Sequence, residues 1–268
     1  MADIDWHYIE NQFDNSTKNS YKRARQQGEF HGNTLGNAPG SIAAVLLNRI
    51  GAALTPFVVK YDLWQQKRGQ FKGATQAYNE ALDLFSAEGV EQIDSAFRGA
   101  YARGTVQYTS AFPQGRAPFQ TGAGDLRITA LGNLKTRCVE LLPPLEAELA
   151  TAQGNGSPQE VIDASHLRVL SLTSAKNMAN TTWLALSGLR SAQDDLESER
   201  DLARTAIEPL REALADALYA NMCGLAQVLN TKALRPQVAT FFNLEILRET
   251  APEEEEVAPI PPVVPPVP

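Results

Sequence analysis

The sequence predicts an all-α protein, an elongated antiparallel helical bundle with coiled-coil-like seams over residues 41–250. An extended N-terminal arm, residues 1–40, precedes it, and an acidic, proline-rich tail, residues 251–268, follows. Three observations carry this prediction. Strong helix formers (Ala, Leu, Glu, Gln, Arg) dominate the middle and the C-terminal half. Every seventh residue from Phe57 reads Phe57, Trp64, Phe71, Tyr78 and Phe85, with Tyr61, Arg68, Thr75 and Leu82 interleaved. Steps of four and three sustained in this way form one stripe on a helix. A second ladder runs Leu189, Leu196, Ala203, Leu210, Ala217, with the partner row Gln193, Arg200, Ile207, Leu214, Asn221, Val228.

The totals bound the rest. The chain has 268 residues, 43% apolar and 21% charged, which suits a globular core. Its net charge is −7. Five acids (Glu249 and Glu253–Glu256) follow Arg248, so residues 1–248 carry 24 positive against 26 negative groups, a net of −2. A nearly neutral body gives no electrostatic reason to expect nucleic acid as a partner. Cys138 and Cys223 are far apart in helical sequence and read as small hydrophobes rather than a disulfide. The opening "MADIDWHYIENQFDN" has neither the basic nor the apolar region of a secretory signal. The longest apolar stretch, Ser41–Val59, is interrupted by Asn48, Arg49 and Pro56, so no transmembrane segment is expected. A cytoplasmic location follows as the expectation, with surface or extracellular assembly by a non-classical route left open.

Taken in order, residues 1–40 are polar and end in "GNTLGNAPG", which reads as a loop. A short helix is expected near Lys18–Glu29, where Lys18, Lys22, Arg23 and Arg25 form a solvated cationic face. Ser41 caps a helix burying Ile42, Val45, Leu46 and Ile50. Pro56 suits the first turn of the next helix, whose aromatic stripe is the core seam: Phe57, Tyr61, Trp64, Phe71, Tyr78, Leu82 and Phe85. Gly69 and Gly73 lie off that seam and leave room for a neighbouring helix. Gly104 ends the run, and "SAFPQGRAPFQTGAGD" is an ordered loop whose Phe112 and Phe119 dock on the bundle. Asp125 caps the following helix, Pro143–Pro144 breaks or kinks it, and "GNGSP" at 154–158 separates it from the last long helix. Pro209 predicts a kink there. Arg235–Leu247 fits either a strand or a docking helix.

The motifs of common chemistries are missing. There is no His-Glu-x-x-His, Cys-x-x-Cys, nucleophile elbow or phosphate loop. Asp163-x-x-His166 has the spacing of half a bridged metal site, but no second acid–histidine pair accompanies it. Neither a catalytic residue, nor a metal, nor a cofactor is expected, and the chain reads as a non-enzyme.

The stretch "FPQGRAPFQTG", Phe112–Gly122, between long helices resembles a loop in uncharacterised bacterial all-helical proteins with an FP-x-G-[RK]-x-PF-like pattern. The resemblance implies an all-helical fold and brings no activity with it.

The tail completes the reading. A four-glutamate block is solvated, and "VAPIPPVVPPVP" favours stiff polyproline II. Its Val257, Ile260, Val263, Val264 and Val267, with Trp6 and Tyr8 of the arm, are the expected contacts with neighbours. The expected function is a structural, self-assembling subunit of a filament or other multi-subunit assembly, a homo-oligomer through arm and tail. The alternative is a helical adaptor whose tail binds a proline-recognising protein.

Overall fold

The computed structural model describes Phe13 and residues 20–38, 40–231, 233–243 and 245–246. Trp6, Tyr8, Val257, Ile260, Val263, Val264 and Val267 lie outside the described residues, as does Lys18. The described chain is helical but for one short strand. Its elements are α1 (Tyr21–Gly36), α2 (Ser41–Leu84), a π-helical turn (Phe85–Gly89) and α3 (Val90–Ala100). Then come α4 (Val106–Ala111), β1 (Pro113–Arg116), α5 (Ala117–Gln120), α6 (Gly124–Gly154), α7 (Gln159–Val228) and a 3-10 turn (Arg235–Phe241).

The described residues divide into two compact units. One comprises those up to Lys67 and from Arg200 onward, the other Arg68–Glu199. Each unit has its own apolar core.

Pro56, expected in the first turn of a helix, lies inside α2, Pro143 and Pro144, expected to break or kink their helix, lie inside α6, and Pro209, expected at a kink or a restart, lies inside α7. All four are on exposed positions, and buried side chains flank them: Phe57 beside Pro56, Leu141 and Leu145 around the pair, Ile207 before Pro209. A proline removes one backbone bond and costs about 3 kcal/mol, which burial of the opposite face over several turns outweighs.

In the first unit, α1 begins at Ser20, whose hydroxyl accepts from Arg23 N at 3.4 Å. Sixteen residues of what reads as an arm, Tyr21–Gly36, are therefore packed helix. Gly32 and Gly36, expected in a loop, are helical, and Arg23, expected on a solvated face, is buried. The reason is a buried polar stripe that the composition hides. Gln27, His31 and Leu35 recur at steps of four on one face, all buried. With its amide oriented to suit the donors present, Gln27 donates to Asn243 O at 3.1 Å and accepts from Asn243 N at 3.2 Å. His31 Nδ1 donates to Phe241 O at 2.9 Å, its ring stacks on Phe242 at 4.4 Å, and its Nε2 accepts from Asn221 Nδ2 at 3.0 Å. Asn221 Nδ2 also donates to Leu46 O at 2.9 Å, and Asn221 Oδ1 accepts from Arg49 at 3.3 Å. Every member of this network has a partner, which is the condition for burying it. It joins α1, α2, α7 and the 3-10 turn. Of the two alternatives for this segment, Arg235–Phe241 thus takes the docking helix, a short 3-10 helix, and not the strand.

In the second unit, the π-turn widens the backbone after Phe85 and misaligns its carbonyls. Ser86 O accepts from Gln120 Nε2 at 3.0 Å, and Ser86 Oγ bonds Phe119 O at 3.2 Å, so α5 caps the irregularity. Phe112 and Phe119 are buried beside Phe97, at 5.5 Å and 5.6 Å between successive ring centroids. Asp125–Arg190 (2.9 Å), Lys135 over Trp183 (3.7 Å) and Glu148–Arg168 (2.7 Å) pair α6 with α7 in antiparallel register. Asp125 lies in the first turn of α6, where its charge opposes the helix dipole; the cap position is Ala123, not Asp125.

Gly124, the first residue of α6, abuts α2. A Cβ there would fall on Tyr78 Oη and lie 3.1 Å from Leu82 Cδ2. Tyr78 Oη is buried without a hydrogen-bond partner. Gly124→Ala should therefore cost about 1–3 kcal/mol in urea unfolding. Tyr78→Phe should be neutral or stabilising, by up to about 1 kcal/mol, because it removes an unsatisfied hydroxyl. Combining them should recover part of the Gly124→Ala loss, and additive effects would show that the hydroxyl is not the obstacle.

Candidate functional site

The aromatic stripe of α2 is shared between two cores. Phe57, Tyr61 and Trp64 are buried in the first unit; Tyr78, Leu82 and Phe85 are buried in the second. Phe71 is half-buried. Of the polar residues expected on the α7 row, Gln193 donates to Thr75 Oγ1 at 3.0 Å and Asn221 sits in the network above, while Arg200 pairs with Asp201 at 2.8 Å. Among the described residues, nothing lies within 4 Å of where a Cβ at Gly69 or Gly73 would be, so no described helix approaches closely there. Asp163 accepts from Gln159 Nε2 at 2.8 Å. Both cysteines are free thiols; burial pushes the Cys138 thiol up to about 12, which keeps it protonated.

Beside the core-facing row of α2, the described residues of the first unit leave a second stripe exposed. Ile42 and Val45, expected in the core, are 46% and 60% exposed, while Leu46 and Ile50 are buried. The helix turns their side chains about one position away from the core-facing row. Val59 at 61% and Leu63 at 38% continue the exposed face, with Ala52 and Pro56 between them, also exposed. Ile42, Val45, Arg49, Ala52, Pro56, Val59 and Leu63 follow steps of three and four without a break, and only Arg49 is charged. The helical run Ile42–Ala100 includes an 18-residue window of mean hydropathy 1.8, of which 22% is buried, long and apolar enough by those measures to cross a bilayer.

The second unit contains a site that the sequence reading missed. Asp94 of α3 is fully buried, at 0% exposure. Its Oδ1 accepts from Tyr108 Oη at 2.8 Å. Its Oδ2 accepts from Arg116 (Nη2 2.7 Å, Nε 2.8 Å) and Arg103 Nη2 at 3.1 Å, with Arg98 Nε at 3.6 Å. Burial alone would raise this carboxyl, but the hydrogen bonds from Tyr108, Arg116 and Arg103 outweigh it and hold it below the ordinary range. Burial, then the bond to Asp94, pushes the Tyr108 phenol up. At neutral pH the pair is a carboxylate hydrogen-bonded by a phenol.

Beside Asp94 lies an open cleft of about 520 Å³, lined by Arg103, Gly104, Tyr108, Thr109, Phe112, Gly115 and Arg116. Gly104 and Gly115 take positive φ, 88° and 64°, at the two turns that bring Arg103 and Arg116 together. One signal in the sequence does point here. Residues 95–124 hold Arg98, Arg103 and Arg116 and no acid, directly after Asp94. Searches against protein-family models, curated proteins and solved structures found no match to this chain.

Proposed function

We propose that the chain is a structural, non-catalytic subunit that self-assembles, with the exposed α2 stripe as a contact between copies. The arm and tail, by their composition, are further connectors. The observation that supports this reading is the heptad-spaced apolar row on a helix whose other face is already buried. In a two-fold antiparallel pairing of two such rows, Ile42 lies opposite Leu63 and Val45 opposite Val59. Ala52 falls near the axis, where a small side chain lets the backbones approach. A two-fold contact closes on itself, so a filament needs a second, different contact, which is the role proposed for arm and tail.

Light scattering after size exclusion tests both contacts. The full chain should have a mass above the monomer, Val45→Asp with Val59→Asp should lower it, and a chain ending at Ala251 should not form larger species. A monomer at every concentration up to about 100 µM, where weak pairs of about 10 µM affinity would show, sinks the assembly reading. In that outcome the adaptor reading takes over, and immobilised tail should retain a proline-recognising domain.

A further inference from the structure

We propose that the cleft beside Asp94 binds a small oxyanion, the carboxylate or phosphate group of a small molecule, between the guanidiniums of Arg103 and Arg116. This is independent of the assembly reading. Burying one carboxylate calls for one cation and enough donors to satisfy its lone pairs. Asp94 has three arginines within ion-pair distance, and Tyr108 already occupies its other oxygen. Among the described residues, the other carboxylate at this cluster is Glu91, 3.7 Å from Arg116. Three guanidiniums against two carboxylates leave a net charge of +1 in this cluster, and two of the three, Arg103 and Arg116, line the cleft.

Geometry indicates where that charge is available. Each guanidinium carries five N–H donors in a planar fork, and Asp94 takes one from Arg103 and two from Arg116. Both side chains line the cleft, and Arg103 is 60% exposed while Arg116 is 25% exposed. Asp94 anchors both forks from below, so their orientation is set before any ligand arrives, which lowers the ordering cost of binding. Planar forks match the paired oxygens of carboxylate and phosphate. A cleft of about 520 Å³ takes a small molecule attached to such a group.

The test uses the full chain, with sodium phosphate and sodium succinate each titrated against sodium chloride at matched ionic strength. The readouts are calorimetry and the Arg Nε–H resonances in NMR. Saturable binding with half-saturation at about 1 mM or below is expected for at least one anion. Which anion binds identifies the source of the group. Arg103→Gln should weaken it at least about tenfold, and Arg103→Lys, which keeps the charge without the fork, should weaken it less. The unliganded melting temperature of each variant checks that the unit is folded. No saturable response to either anion overturns the proposal, as does a response that Arg103→Gln leaves unchanged.

Discussion

Replacing Asp94 with alanine will lower the unfolding free energy by about 3–5 kcal/mol, the loss usual when one partner of a buried charge set is removed. The change leaves three guanidiniums facing one another around a void, with Tyr108 Oη also deprived of its acceptor. Asp94→Asn keeps the shape and one acceptor oxygen and should fall between Asp94→Ala and the native protein. Arg103→Gln, at an exposed guanidinium, should leave the urea midpoint near that of the native protein. Hydrogen exchange supplies the location. Protection should fall in α3, α4 and β1 and stay unchanged in α1. A loss spread evenly over both units, or a midpoint shift no larger for Asp94→Ala than for Arg103→Gln, would contradict the role assigned to Asp94.

The second large effect is a loss of stability in mild acid caused by His31. Burial depresses this imidazole from 6.5 to about 4, although the hydrogen bond to Phe241 O works in the other direction. In the unfolded chain the same ring takes up a proton near 6.5. Between pH 6.5 and pH 4 the unfolded state therefore binds more protons, and stability falls as the pH falls through that window. The full loss is about 3 kcal/mol, complete below pH 4. Asp94 and Glu208, whose carboxyls are held below their ordinary values of 3.8 and 4.5, lose their contributions as the pH falls through and below those values, mostly below about pH 5. Urea unfolding at pH 7.5, 6 and 5 thus isolates the imidazole. His31→Gln should flatten the profile over this range while lowering stability at pH 7.5, and an unchanged slope in that variant would refute the assignment.

Both effects arise at residues whose importance is invisible to periodicity. His31 sits in polar sequence that reads as an arm, and Asp94 is one acid among many on helices. Each becomes consequential through partners that the chain brings from far away: Asn221 for His31, Arg116 for Asp94. The close contact of Gly124 with Tyr78 has the same character.

By itself the sequence determined that the described chain is helical. Helix propensity and a repeat of three and four act locally, within a few turns, and need no knowledge of the rest of the fold. Only the tertiary structure decided that Pro56, Pro143, Pro144 and Pro209 are carried inside helices, because the burial that outweighs a lost backbone bond comes from other segments. It alone divided the aromatic stripe between two cores. A straight helix drifts about 20° per heptad against a seven-residue repeat, so a stripe four heptads long does not keep one face toward one partner. It also decided that Ile42 and Val45 face outward while Leu46 and Ile50 face in. On a helix apolar nearly all round, composition cannot say which side is covered; only the neighbours that pack against it can.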